Sequence, residues 1–128
     1  MSFRFSKHYT LEEARDLIPQ IRKWLEQLQG LEQRLSELDI RLRSLGSAGN
    51  DVGGDTLNSS IKLRAELHGI VQEFESREIQ IKDLERGLVD FPALRDGREI
   101  LLCWEKGEDN IEFWHDLDSG YPGRERLD

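Results

Sequence analysis

A long repeat of apolar residues in the first third of the chain constrains the fold more than any other feature. Apolar side chains recur every three or four positions, at Leu11, Ala14, Ile18, Ile21, Leu25, Leu28, Leu31, Leu35, Leu38, Leu42 and Leu45. This spacing is typical of one face of an α-helix or of a coiled coil. A helix of that length spans about 50 Å at about 1.5 Å per residue, whereas a compact domain of this size has a radius of gyration of about 14 Å. The helix must therefore extend beyond a compact body or pair with another copy.

Local signals mark where this helix begins and where it is disturbed. Thr10 and Glu13 have the spacing of a capping box, in which the side chain of each residue accepts a hydrogen bond from the backbone amide of the other. We predict helix 1 over residues 10–45. Pro19 is expected to kink this helix or to mark a restart, and Gly30, where the apolar repeat shifts by one position, is expected to allow a bend.

A glycine-rich stretch separates this helix from a second one. Residues 46–55 follow a helix and lack the Gly-Lys-Ser/Thr ending of a phosphate-binding loop, so we predict that they form the tip of an antiparallel helical hairpin. Asp55 is predicted to cap helix 2, which extends over residues 56–77. The apolar stripe of helix 2 comprises Leu57, Ile61, Leu63, Leu67, Ile70 and Phe74.

The rest of the chain changes from helical to alternating periodicity. Short runs separated by turn residues predict a small antiparallel β-meander of three to four strands over residues 79–116. The predicted strands are 79–82, 88–91 (ended by Pro92), 98–105 and 111–116. Residues 117–128 are predicted to be an irregular tail. The fold class is therefore α+β, a single domain over residues 1–128.

Several short motifs give the chain a family resemblance. They are Leu11-Glu12-Glu13-Ala14 with Leu17-Ile18-Pro19, Gly87-Leu88-Val89-Asp90-Phe91-Pro92, Leu102-Cys103-Trp104 with Gly107-Glu108, Trp114-His115-Asp116, and Gly120 followed by Arg124. Over nearly its whole length the chain resembles an uncharacterised bacterial family of domains of unknown function. One departure is Ser76-Arg77-Glu78, where the family pattern leads us to expect a glycine. The resemblance implies the fold described above and carries no activity.

Charge and composition limit the classes of partner and the cellular location that we expect for this chain. The formal net charge is −8, and residues 79–128 carry −6 of it, with 13 acidic against 7 basic side chains. Without a basic run, nucleic acid and an anionic membrane are not expected as direct partners. The longest apolar run, 100–104, is far shorter than the roughly 20 residues of a membrane helix. Because there is one cysteine and no apolar leader, we predict a cytoplasmic location.

The strongest candidate site lies in the β-segment. Asp90 stands within a predicted strand, where a charged side chain needs a partner. Asp90, Glu108 and His115 could bind a divalent metal through oxygen and nitrogen, and Arg124 could position an anionic substrate or form an ion pair. The alternative, which we favour, is a structural network in which His115 bonds a neighbour. In that network Asp90 pairs with one of three arginines: Arg95, Arg98 or Arg124.

The remaining candidate residues are more simply explained by structure. Cys103 lies in an apolar strand and is expected to be an inert core thiol. His8 is expected to be solvated, and His68 is expected at the edge of the helix 2 stripe. Trp24, Trp104 and Trp114 are expected in the core.

Two hypotheses about function follow. The first is a non-enzymatic interaction or structural module that uses no cofactor. It would act as a homodimer, because two helices cannot bury stripes this wide, and its hairpin would present a surface to another protein. The alternative to the dimer is a monomer in which the sheet folds back over half of the hairpin. The second is a small metal-dependent enzyme, possibly a hydrolase, that uses Asp90, Glu108 and His115.

Overall fold

The computed structural model describes residues 2–47 and 54–128, and it shows two helices followed by one antiparallel sheet. The helices are α1 (Leu11–Ser47) and α2 (Asp55–Glu75). The strands follow the chain in the order β1-β2-β3-β4-β5: β1 (Gln80–Asp83), β2 (Leu88–Arg95), β3 (Arg98–Glu105), β4 (Phe113–Asp116) and β5 (Glu125–Arg126). The predicted α+β class is confirmed, with five strands in place of three to four.

The start of α1 follows the prediction closely. The Thr10 amide donates to Oε1 of Glu13 at 2.8 Å, and the Glu13 amide donates to Oγ1 of Thr10 at 3.1 Å, which is a complete capping box. The helix then continues through Pro19 and Gly30 to Ser47, so a restart at Pro19 is wrong. None of the helices in the described ranges is long and apolar enough to cross a membrane.

The start of α2 differs from the prediction by one residue. Gly54, with φ of 77°, is the N-cap, and no side chain caps this end. This left-handed backbone conformation suits glycine, and it moves Asp55 into the first turn. There its carboxylate still faces the positive end of the helix dipole. Most of the predicted hairpin tip, residues 48–53, lies outside the described residues.

The two helices are antiparallel and share a narrow apolar contact. The ring of Trp24 packs on that of Phe74, with centroids 5.5 Å apart, and further along α1 Asp39 pairs with Arg64 at 2.9 Å. Sixteen buried residues form the main core between the helices and one face of the sheet; those on the sheet include Val89, Phe91, Ile100, Leu102, Trp104 and Trp114. A second, smaller cluster consists only of helix residues: Leu31, Leu35 and Leu63, with Leu38, Leu67 and Ile70 against them.

The predicted stripe of α2 is only partly buried. Leu63 and Phe74 are buried as expected, but Leu57 and Ile61 are 40% and 58% exposed. The inward face of this part of α2 is set by Ser60 and Leu63, at 4% and 6% exposure. Ile61 is one residue after Ser60, about 100° further around the helix, and therefore turns away from α1.

The turn after α2 shows which residue takes the place of the glycine expected at Ser76-Arg77-Glu78. Glu78 has φ of 58°, the Ile79 amide donates to the Phe74 carbonyl at 3.0 Å, and the Glu78 amide donates to the Glu75 carbonyl at 3.0 Å. These bonds form a Schellman motif with a glutamate at the position that glycine usually occupies.

Two parts of the sheet extend beyond the predicted strands, one at the end of β2 and one in the C-terminal tail. β2 passes through Pro92 to Arg95, because β1 pairs with β2 only as far as Asp90. Beyond Asp90 the edge of β2 that faces β1 has no paired strand, so a proline, which has no amide hydrogen to donate, is tolerated there. The Pro92 carbonyl accepts a hydrogen bond from the Tyr9 amide at 2.7 Å. The tail predicted to be irregular contains β5, which pairs with β4 but is only two residues long, too short to show alternation.

Candidate functional site

The sheet places three chemically active side chains on the face that points away from the helices. Asp90 on β2 is directly opposite Cys103 on β3, and His115 on β4 is opposite Leu101, one diagonal step from Cys103. Their neighbours Val89, Trp104 and Trp114 belong to the core on the helix side. Because side chains alternate between faces along a strand, Asp90, Cys103 and His115 share the other face.

All three side chains are buried although they lie on the face of the sheet that points away from α1 and α2. Asp90 and His115 are each 1% exposed, and Cys103 is 0% exposed. The C-terminal tail provides cover, and a cleft of about 430 Å³ remains between the tail and the sheet. Asp90 and His115 line this cleft together with Lys82, Leu88, Leu117, Asp118, Gly120 and Tyr121.

His115 and Asp90 form a buried ion pair. Nε2 of His115 lies 3.1 Å from Oδ2 of Asp90, and Nδ1 lies 2.8 Å from the Asp116 carbonyl oxygen. Burial alone would lower the pKa of His115, but the bonds to Asp90, Cys103 and the Asp116 carbonyl outweigh it and raise that pKa to about 10. The imidazole is therefore protonated at neutral pH and donates from both nitrogens.

The second oxygen of Asp90 has no such partner. Among residues 2–47 and 54–128, Oδ1 of Asp90 is the one buried side-chain oxygen or nitrogen without a hydrogen-bond partner. A buried carboxylate oxygen in this state costs about 1–3 kcal/mol or more. The predicted need of Asp90 for a partner is thus met by His115 at one oxygen only.

Glu108 and Arg124 form a separate ion pair. Arg124 Nη2 lies 2.9 Å from Glu108 Oε2, and Nη1 donates to Oε1 at 3.2 Å. Oε1 also accepts the Glu105 amide at 2.8 Å. The guanidinium lies 3.9 Å from the Phe113 ring centroid. Burial opposes the charge of Arg124, but its bonds to Glu108 and Cys103 raise its pKa.

Arg124 is therefore an ion-pair residue, one of the two roles predicted for it. The prediction that an arginine would pair with Asp90 is wrong, because His115 is closer and faces it across the sheet. Arg95 instead lies over the Trp114 ring, 4.8 Å from its centroid, and Arg98 pairs with Asp116 at 3.2 Å.

The structure brings together a different set of three from the one predicted. Within the described ranges, Asp90, Cys103 and His115 are the group of potential metal ligands whose donor atoms all lie within 4.8 Å of one another. Two of the three predicted ligands thus converge, and Cys103 stands where Glu108 was expected. The β2–β3 register, which places Cys103 opposite Asp90, decides this exchange.

Two carboxylates that sequence reasoning missed bind the N-terminal segment to the domain. Glu99 accepts the Arg4 and Phe5 amides at 2.7 and 3.0 Å, and its Oε2 lies 2.8 Å from Nε2 of His8. Glu78 accepts the amides of residues 6 and 7 at 3.1–3.2 Å. His8 is therefore held by a carboxylate rather than free in solvent. Backbone amides as partners leave no sequence signal.

A family model described as "Uncharacterized conserved protein (DUF2203)" matches residues 7–127, nearly the whole chain. The chain matches no curated protein and no solved structure.

Proposed function

We propose that this chain, which belongs to the uncharacterized conserved protein family DUF2203, is a protein-interaction or structural module that acts as a homodimer. The observation that carries this proposal is the exposed apolar surface of α2. Leu57 and Ile61 are one helical turn apart and are 40% and 58% exposed. Ala65 and Gly69 continue the same i, i+4 row and are also exposed.

The chemistry of this row, which we call the α2 outer row (Leu57, Ile61, Ala65 and Gly69), suits contact with another helix. No member of the row is charged, in a chain in which 34% of residues are charged. Alanine and glycine allow helix backbones to approach closely, while leucine and isoleucine provide apolar area. An unpaired apolar row on a monomer favours association.

A second copy of the chain is the occupant that we propose. Twofold assembly is the commonest form of soluble oligomer, and it places the same row on both sides of the contact. Two antiparallel hairpins pairing through α2 form a four-helix arrangement. Ile40, 58% exposed on α1, then remains available to a protein partner along the hairpin.

Sedimentation equilibrium on matched variants tests this proposal. Ile61→Asp places a charge in the contact, so we expect its dimer dissociation constant to rise by at least about tenfold, equivalent to about 1.4 kcal/mol. Ser59→Asp adds the same charge at an exposed position nearly opposite on the helix and should leave the constant within about threefold of the unmodified chain. Equal constants for both variants, or no dimer in the unmodified chain, would contradict the proposal.

A further inference from the structure

The unpartnered oxygen of Asp90 points to a ligand rather than to a finished structural network. Asp90 is buried, and Oδ1 has no donor among the described residues although Oδ2 is bonded to His115. A purely structural pair would be expected to satisfy both oxygens, because an unsatisfied one is costly. Cys103 and His115 are the nearest groups that could share a ligand with it.

We propose that Asp90, Cys103 and His115 bind one zinc ion, with the fourth position directed into the cleft beneath the C-terminal tail. Thiolate and imidazole ligands together select zinc over magnesium or calcium, which prefer oxygen. Three protein ligands with one open position are the arrangement of catalytic zinc sites, where the fourth ligand is water or substrate. Asp90 and His115 both line the cleft of about 430 Å³, so the open position is reachable from it.

The surroundings of His115 prepare it for this role. Its Nδ1–H donates to the Asp116 carbonyl at 2.8 Å, which leaves Nε2 as the nitrogen that faces Asp90. A carbonyl that holds one ring nitrogen and orients the other is the usual support of a zinc-bound histidine.

Charge balance also favours this ligand set. Zinc binds a cysteine as the thiolate, a histidine as the neutral imidazole and an aspartate as the carboxylate, and the protons that these groups give up pass to solvent. Zn²⁺ with one thiolate, one carboxylate and one neutral imidazole has a net charge of zero, so the bound ion adds no uncompensated buried charge.

Cobalt substitution tests the ligand set directly. The full chain, produced without a histidine tag and stripped with EDTA, is titrated with Co²⁺ and then with Zn²⁺. We expect one ion per chain, a thiolate-to-cobalt charge-transfer band and the intense d–d bands of tetrahedral cobalt, all lost as zinc displaces cobalt. Cobalt binding without a charge-transfer band, or no stoichiometric binding, would overturn the proposal.

Two variants separate this site from adventitious binding. Cys103→Ser should lose the charge-transfer band and bind zinc more than about 100-fold more weakly, beyond the effect of changing a supporting residue. Asp118→Asn, which alters a carboxylate lining the same cleft, should bind zinc within about threefold of the unmodified chain. Equal zinc affinity in Cys103→Ser would show a surface site and refute the assignment. If Cys103→Ser does not fold, as judged by circular dichroism, the cobalt spectrum of the unmodified chain decides.

Discussion

Replacing His115 with leucine removes the one side chain that donates to the Asp90 carboxylate in the described part of the structure. Both residues are 1% exposed, so the carboxylate cannot turn to water without opening the tail. Breaking a buried pair in this way costs about 3–5 kcal/mol, because one charge is left without compensation. For a domain of this size that corresponds to a fall in Tm of about 10–20 °C.

The double variant Asp90→Leu/His115→Leu sharpens the prediction. Replacing both partners of a buried pair by apolar groups of similar volume is often neutral or stabilising. We therefore expect the double variant to be more stable than His115→Leu alone, although it carries one more substitution. This order is the opposite of what additive losses would give.

Urea unfolding followed by tryptophan fluorescence measures these differences, in EDTA and at one protein concentration. His68→Leu is the matched control, because His68 is exposed on α2 and should change the free energy of unfolding by no more than about 0.5–1 kcal/mol. A loss below about 1 kcal/mol for His115→Leu would refute the importance of the ion pair. A double variant less stable than His115→Leu would refute the compensation argument.

Two further predictions concern the segments joined to the sheet. Glu78→Ala and Glu78→Gly both lose the carboxylate that holds residues 6 and 7. Alanine keeps the left-handed backbone conformation, which costs about 1–2 kcal/mol for a residue with a Cβ atom, whereas glycine adopts it without strain. Urea unfolding should therefore show Glu78→Ala to be less stable than Glu78→Gly by about 1 kcal/mol, and the reverse order would contradict this account. Burial raises the pKa of Glu99, but its bonds to His8 and to the Arg4 and Phe5 amides lower it overall, below 4.5. The ionised Glu99 carboxylate therefore contributes its full stabilisation of the folded state above pH 4.5, the ordinary glutamate pKa. This contribution is lost as the pH falls through the lower pKa that Glu99 has in the folded state. The Arg4 and Phe5 amide resonances should report this release on acidification, and pH-independent shifts, or the same titration in Glu99→Gln, would contradict it.

The sequence predicted those parts of the fold that depend on local chemistry. The capping box of Thr10 and Glu13 was confirmed in both of its bonds, since it needs only residues three positions apart. The class and order of the elements were also predicted, because long apolar periodicity and turn residues are local signals. The cap of α2 was wrong by one residue, since a glycine with positive φ competed with the aspartate.

Features that depend on partners distant in sequence were not predictable in the same way. The spacing of Ile61 in the sequence matches the apolar stripe of α2, but Ile61 is exposed in the structure. Ser60 and Leu63 are the residues that this part of α2 buries against α1. The need of Asp90 for a partner was correctly inferred, yet the identity of that partner depended on the register of β2, β3 and β4. The same register brought Cys103 into the group and left Glu108 with Arg124.

Light scattering across a dilution series measures the mass of the unmodified chain, and it shows whether the α2 outer row pairs two copies. We expect a mass of twice 14.9 kDa at high concentration, falling toward 14.9 kDa as the α2 outer rows separate. A mass of 14.9 kDa at every concentration would show that this surface does not pair copies of the chain, and it would contradict the proposed function.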